Sequence, residues 1–127
     1  MIYYAGTLVQ VSGSTFSNNT GNTGGAIAES GRISNSTFSG NAARQGGGAI
    51  AGGVTVLNST FFGNSTRNQG GAIYLRGECE GSGIAELTVR NSTISNNSAA
   101  GKGGGIAAVA CNPAFTIEKS IVAANTA

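Results

Sequence analysis

Histidine, tryptophan and aspartate are absent from this chain, and all five acidic residues are glutamate. These absences remove most general bases, most metal-ligand clusters and the histidine that activates a serine or cysteine nucleophile. Proline occurs once, at Pro113, so the 22 glycines belong neither to a collagen repeat nor to a proline-rich disordered tract. Charge is scarce as well: 9% of the 127 residues carry it, and the net charge is +2. Intrinsic disorder needs more charge than this to stay solvated. Nucleic acid or a membrane surface would need a stronger basic excess to be implied as a partner. No apolar run is long enough to span a bilayer. The opening "MIYYAGTLV" lacks the basic n-region and small-residue cleavage site of a signal peptide. An exported form is therefore expected to be a mature piece or an internal segment. The length supports one domain, residues 1–127, around one core.

What the chain does contain is a repeat. Ser-x-x-x-x-Asn recurs five times, at Ser14–Asn19, Ser36–Asn41, Ser59–Asn64, Ser92–Asn97 and Ser120–Asn125, with spacings of 22, 23, 33 and 28 residues. A glycine block follows the first four copies, "GGAI" ending at Ile27, Ile50 and Ile73, then "GGGI" ending at Ile106. Near-constant spacing of this kind marks a solenoid. Helical repeats would show apolar residues at i, i+3, i+4 and i+7. Here short bursts of Ile, Val, Thr and Phe alternate with Gly, Asn and Ser, which is strand-and-turn punctuation.

Parity sharpens the expectation. An aliphatic precedes the Phe position by five residues in every copy: Val11/Phe16, Ile33/Phe38, Val56/Phe61, Val89/Ile94 and Ile117/Val122. Side chains alternate faces along a strand, so residues five apart cannot both face inward without a corner between them. The corner is expected near Gly13, Asn35, Asn58, Asn91 and Lys119. A second corner at the terminal Asn and a variable loop lead to a third strand holding Ile. The predicted fold is thus all-β, a parallel β-helix of three short strands per coil and about five coils. Three internal columns follow, one of the aliphatics, one of the Phe positions, and one of Ile27, Ile50, Ile73 and Ile106. Asn19, Asn41, Asn64, Asn97 and Asn125 form a fourth column at a corner. Asparagine tolerates left-handed backbone, and its amide both donates and accepts, so these five residues are expected to form a structural Asn ladder.

The pairing of "GGAI" with "FxxN" (Phe16–Asn19, Phe38–Asn41, Phe61–Asn64) resembles the repeats of the chlamydial polymorphic outer-membrane proteins. It is similar also to bacterial surface proteins of the right-handed, pectin-lyase-like β-helix type. The closing "NSTISNNSAAGKGGGI" and "SIVAANTA" look like the last coils of such solenoids, before an anchoring domain. The resemblance implies right-handedness and a place outside the cell or on its surface. Enzymes of similar fold work with Asp clusters, Ca²⁺, Arg, Lys or His, and the Asp and His positions do not exist here. No catalytic residue, cofactor or metal is expected, and the chain is expected not to be an enzyme.

Individual residues leave alternatives. Cys79 and Cys111 follow Ile73 and Ile106 by six and five residues, equivalent places on neighbouring coils. A Cys79–Cys111 disulfide is predicted, which implies an oxidising, extracytoplasmic setting; the alternative is two free thiols. Glu78, Glu80 and Glu86 cluster in the same insertion, either as an acid pair or, more simply, as a solvated loop. "NNSAAGKG" fails the phosphate-loop pattern. The GGA blocks are expected to leave a small-residue outer strip at Ala26, Ala49 and Ala72. Arg44 and Arg67 share one loop position on successive coils, with Lys102 nearby, and either hold an anion or are merely solvated. Six Asn-x-Ser/Thr sequons begin at Asn18, Asn35, Asn58, Asn64, Asn91 and Asn96.

The function expected from the residues is a non-enzymatic module of an extracellular or cell-surface solenoid: a stalk, adhesin-like or passenger-type scaffold. Its insertions, with Glu78, Glu80, Ser82 and Asn112, are the candidate partner-contact loops. A second reading is a subunit stacking head-to-tail into an extracellular filament, since apolar "MIYYAG" and the mid-coil "SIVAANTA" would leave open edges. A third is polysaccharide binding or cleavage, for which only Tyr3, Tyr4 and Tyr74 are available as outer stacking rings. Expected partners are therefore protein (a second copy or a surface partner) or polysaccharide, without nucleic acid or membrane insertion.

Overall fold

The structure, a computed structural model, describes residues 8–77, 85–110 and 112–127. The first coil contains β1 (Val9–Ser12), β2 (Thr15–Ser17) and β3 (Thr20–Thr23). The second contains β4 (Gly31–Ser34), β5 (Thr37–Ser39), β6 (Ala42–Gly46) and β7 (Ile50–Ala51). The third contains β8 (Val54–Leu57), β9 (Thr60–Phe62), β10 (Ser65–Thr66) and β11 (Ile73–Arg76). The fourth contains β12 (Ala85–Arg90), β13 (Thr93–Ser95), β14 (Ser98–Ala99) and β15 (Ile106–Val109), and β16 (Pro113–Glu118) and β17 (Ile121–Ala123) begin a fifth. Every strand pairing is parallel and joins equivalent strands of successive coils. The result is a parallel β-helix of four turns and part of a fifth.

The three expected columns are present in register. Val11 pairs with Ile33, Ile33 with Val56, Val56 with Val89, and Val89 with Ile117. Phe16, Phe38, Phe61, Ile94 and Val122 form the second column. Ile27, Ile50, Ile73 and Ile106 form the third. Ile33, Phe38, Ile50, Phe61 and Ile73 are fully buried. The Phe16, Phe38 and Phe61 rings stack at 4.9 and 4.7 Å, nearly parallel at 4° and 2°. That spacing matches the strand separation of about 4.8 Å, so the rings ride on the backbone repeat without tilting.

The first corner falls where parity requires it. Gly13, Asn35, Asn58, Asn91 and Lys119 all have positive φ, between 47° and 57°. At the second corner the structure corrects the expectation. The left-handed residue is not the ladder asparagine but the one before it: Asn18, Gly40, Gly63, Asn96 and Ala124. Turning the chain one residue early aims the next side chain inward, and Asn41, Asn64 and Asn97 are wholly buried.

Two further expectations are corrected. Each of the first four coils has a strand in the segment assigned to a variable loop, so four sheets form rather than three: β3, β6, β10 and β14 make the additional one. Apart from the threonines, these strands are built from Gly, Ala, Ser, Asn, Arg and Gln, without a β-branched or aromatic residue among them, and stacking rather than propensity holds them. Their backbone donors bond the coil below, as in Ser65 N–H to Asn41 O and Ser98 N–H to Asn64 O, both 2.9 Å. Ala26, Ala49 and Ala72 do not form an outer strip either: all three are fully buried. The second glycine of each block explains why. A Cβ on Gly48 would collide with Gly71 O and come within 2.6 Å of Ser65 N. Backbone of the next coil packs directly against this glycine, leaving no room for a side chain.

Candidate functional site

The interior is organised around two polar ladders. Each ladder asparagine donates from Nδ2 to the Oδ1 of its counterpart one coil on, at 2.9 Å, from Asn19 through Asn41, Asn64 and Asn97 to Asn125. That same Oδ1 accepts the previous asparagine's backbone N–H at 2.9–3.0 Å. The second Nδ2 hydrogen goes backwards, to Phe16 O, Phe38 O, Phe61 O or Ile94 O, at 2.9–3.1 Å. Asn41, Asn64 and Asn97 thereby use both donors and both acceptor positions, which a buried amide requires. No buried side-chain polar atom among the described residues lacks a partner.

The serine of each repeat has a role that its recurrence signals but its chemistry alone does not specify. Ser36, Ser59, Ser92 and Ser120 each accept, on Oγ, the backbone N–H of the serine one coil before, at 3.1–3.2 Å. Each repeat serine donates from Oγ to the carbonyl two residues earlier, at 2.8–2.9 Å. The fixed six-residue Ser-to-Asn span is therefore a pair of ladders flanking the Phe column. Both are polarised: backbone N–H groups donate to the next coil's side chains, and Oδ1 and Oγ accept from the previous coil.

The surface differs by sheet. On the fourth sheet, a groove of about 560 Å³ is lined by Thr20, Gly21, Asn22, Ala42, Ala43, Arg44 and Arg67. Arg44 and Arg67 are neighbours in register, because Thr66 pairs with Ala43 and Arg67 N–H bonds Ala43 O at 3.2 Å. Lys102 does not join them: its carbonyl accepts from Gly70 N–H, which places it over Gln69, two positions along. A second cleft, of about 490 Å³, holds one carboxylate, Glu29, with Arg76 on its wall. Glu118 is engaged by Arg90 at 3.0 Å in an exposed ion pair. No group of three or more metal-ligating side chains occurs among the described residues. No described helix is long and apolar enough to cross a membrane.

The family comparison bears directly on these coils. A family model described as "right handed beta helix region" matches residues 1–127. The chain belongs to the right-handed β-helix family. No curated protein and no solved structure gives a significant match. The family match identifies the fold of this β-helix at large; it does not select the chlamydial type of repeat within it.

Of the residues singled out in this β-helix, Asn112 is described and exposed. Glu78, Cys79, Glu80, Ser82 and Cys111 lie outside the described residues, so the predicted disulfide and most of the contact loop do too; Tyr3 and Tyr4 share that position. Tyr74 is half-buried, its ring lying over Gly46, where an added Cβ would come within 2.6 Å of Cδ1. One outward aromatic went unrecognised in the sequence, Phe62, 51% exposed; Phe115 lies on the inward face, in register with buried Leu87. Strand alternation gives the signal for Phe62, since its neighbour Phe61 occupies the inward column. Among the sequons, Asn64 is buried in the ladder and inaccessible to a transferase, whereas Asn18, Asn35, Asn58, Asn91 and Asn96 are exposed at left-handed corners.

Proposed function

We propose that this β-helix is a non-enzymatic scaffold, a rigid stalk or display surface outside the cell or on its surface. The observation that carries the reading is the saturated asparagine ladder, which runs through five coils without a break. Fully satisfied buried amides rigidify a structure and select one register, which suits an element that must keep its loops at fixed positions. The likeness of "GGAI" and "FxxN" to bacterial surface repeats supports the same placement. The insertion around residues 78–84 and exposed Asn112 then serve as the contact loops. Deleting residues 78–82 should leave the fold, read by circular dichroism, intact and reduce partner binding; unfolding of the deletion variant would mean that the loop is structural. Incubation with polygalacturonate, followed by a reducing-end assay, should give no products. Turnover that disappears in Glu29→Gln would replace the scaffold with an enzyme.

The direction of the ladders favours a second reading, head-to-tail stacking: backbone and Nδ2 donors bond the coil after them while Oδ1 and Oγ accept from the coil before, so two copies would join end to end in one sense only. Light scattering across a dilution series separates the readings: growth with concentration supports stacking, and a constant monomer mass removes it.

A further inference from the structure

We propose that Arg44 and Arg67 form a binding site for a tetrahedral oxyanion, a phosphate group carrying two negative charges. Coil stacking brings two guanidinium-bearing residues into adjacent register, about one strand spacing apart (about 4.8 Å). Like charges opposed across adjacent strands are destabilising. Among the described residues neither arginine pairs with a carboxylate; the ion pair there is Arg90–Glu118. The repeat itself does not demand arginine at this position, since the same column holds Asn22 in the first coil and Ala100 in the fourth. The two arginines are particular to two coils, and they flank the groove of about 560 Å³.

The groove has the shape and chemistry for an anion. Its floor is small, Gly21, Ala42 and Ala43, so an incoming group meets no bulk. Thr20 and Asn22 add a hydroxyl and an amide at its edge, and no glutamate lines it. Each arginine offers a planar fork of N–H donors suited to paired oxygens. Two forks side by side match a dianion with several acceptor oxygens better than a carboxylate, which brings one charge and two oxygens. The site goes beyond the scaffold reading and does not depend on it.

The test is titration of the intact chain with inorganic phosphate in its dianionic form, followed by amide chemical shifts. Saturable shifts confined to residues 20–22, 42–44 and 65–67 are expected. Arg44→Ala and Arg67→Ala should each weaken binding about ten-fold, and the double variant should abolish it. Arg32→Ala, an exposed arginine on another sheet, should leave binding unchanged. Acetate at matched ionic strength should produce no saturable shift. The proposal is overturned if acetate competes equally, if Arg32→Ala weakens binding as much as Arg44→Ala, or if the shifts never saturate. All the variants lie at exposed positions, so one-dimensional spectra will confirm that each is folded before titration.

Discussion

The second coil and the fifth carry the same repeat, and they behave differently. In the second, Ile33, Phe38 and Asn41 are fully buried, and the two left-handed corners fall on Asn35 and Gly40. In the fifth, the equivalent Ile117 and Val122 are 46% and 45% exposed, and the corners fall on Lys119 and Ala124, with φ of 47° and 53°. Left-handed backbone costs an ordinary L-residue roughly 1–2 kcal/mol, and Gly or Asn much less. The fifth coil thus places residues for which left-handed backbone is costly at both corners, whereas the first coil keeps Gly13 and Asn18 there. Among the described residues the inward column of the fifth coil is covered on one side only, and each of its letters carries less of the packing.

Substitutions at matched places test this contrast. The largest difference is expected in the Phe column. Phe38→Ala should cost about 3–5 kcal/mol, because it removes a fully buried ring stacked on both sides. Val122→Ala should cost below about 1 kcal/mol; urea denaturation of both variants measures the gap, and equal losses would show that the fifth coil is as well packed as the second.

The ladder comes next. Asn64→Ala strips the acceptor from Asn41 N–H and Nδ2 and the donors from Asn97 Oδ1 and Phe38 O. Buried groups left unpaired cost about 1–3 kcal/mol each, so a loss of at least about 3 kcal/mol is expected. Asn125→Ala removes the acceptor of Asn97 N–H and Nδ2 as well, but at a half-buried position that water can reach, so a smaller loss than for Asn64→Ala, about 1–2 kcal/mol, is expected. Hydrogen exchange should add that only Asn64→Ala speeds exchange in both neighbouring coils.

The strained corners should respond in the opposite direction. Ala124→Gly removes a left-handed alanine and is expected to stabilise by about 0.5–1 kcal/mol. Gly40→Ala should destabilise by a similar amount, and its added Cβ would also crowd Asn18 Oδ1 at 2.5 Å. A thermal melt that moves the same way for both would contradict the role assigned to these corners. The smallest effect concerns Arg90 and Glu118, each half-exposed. Glu118→Gln should change stability by less than about 1 kcal/mol, and added salt should shrink even that.

Much of this was legible in the residues because stacking repeats one local pattern. The five-residue offset between Val56 and Phe61 demands a corner, and alternation then dictates which side chains face inward. The fourth sheet was not legible, because Ala42, Ser65 and Ser98 have no strand preference of their own; they are extended only because a coil lies beside them. The buried placement of Ala26, Ala49 and Ala72 was hidden for a related reason. Small residues fit equally well in a crowded interior and on a bare surface, and only the neighbouring carbonyls tell the two apart. The arginine site was half visible: the sequence puts Arg44 and Arg67 at one repeat position, but the groove between them is a property of the assembled sheet.

By itself, then, the sequence determined the solenoid, its inward columns and its first corner, because period and alternation are local and survive in one dimension. The tertiary structure alone decided which asparagine turns and which one is buried, how many sheets enclose the core, and where a cavity opens beside a charge. Those depend on what the adjacent coil presents at about 4.8 Å, and that neighbour lies twenty or more residues away along the chain.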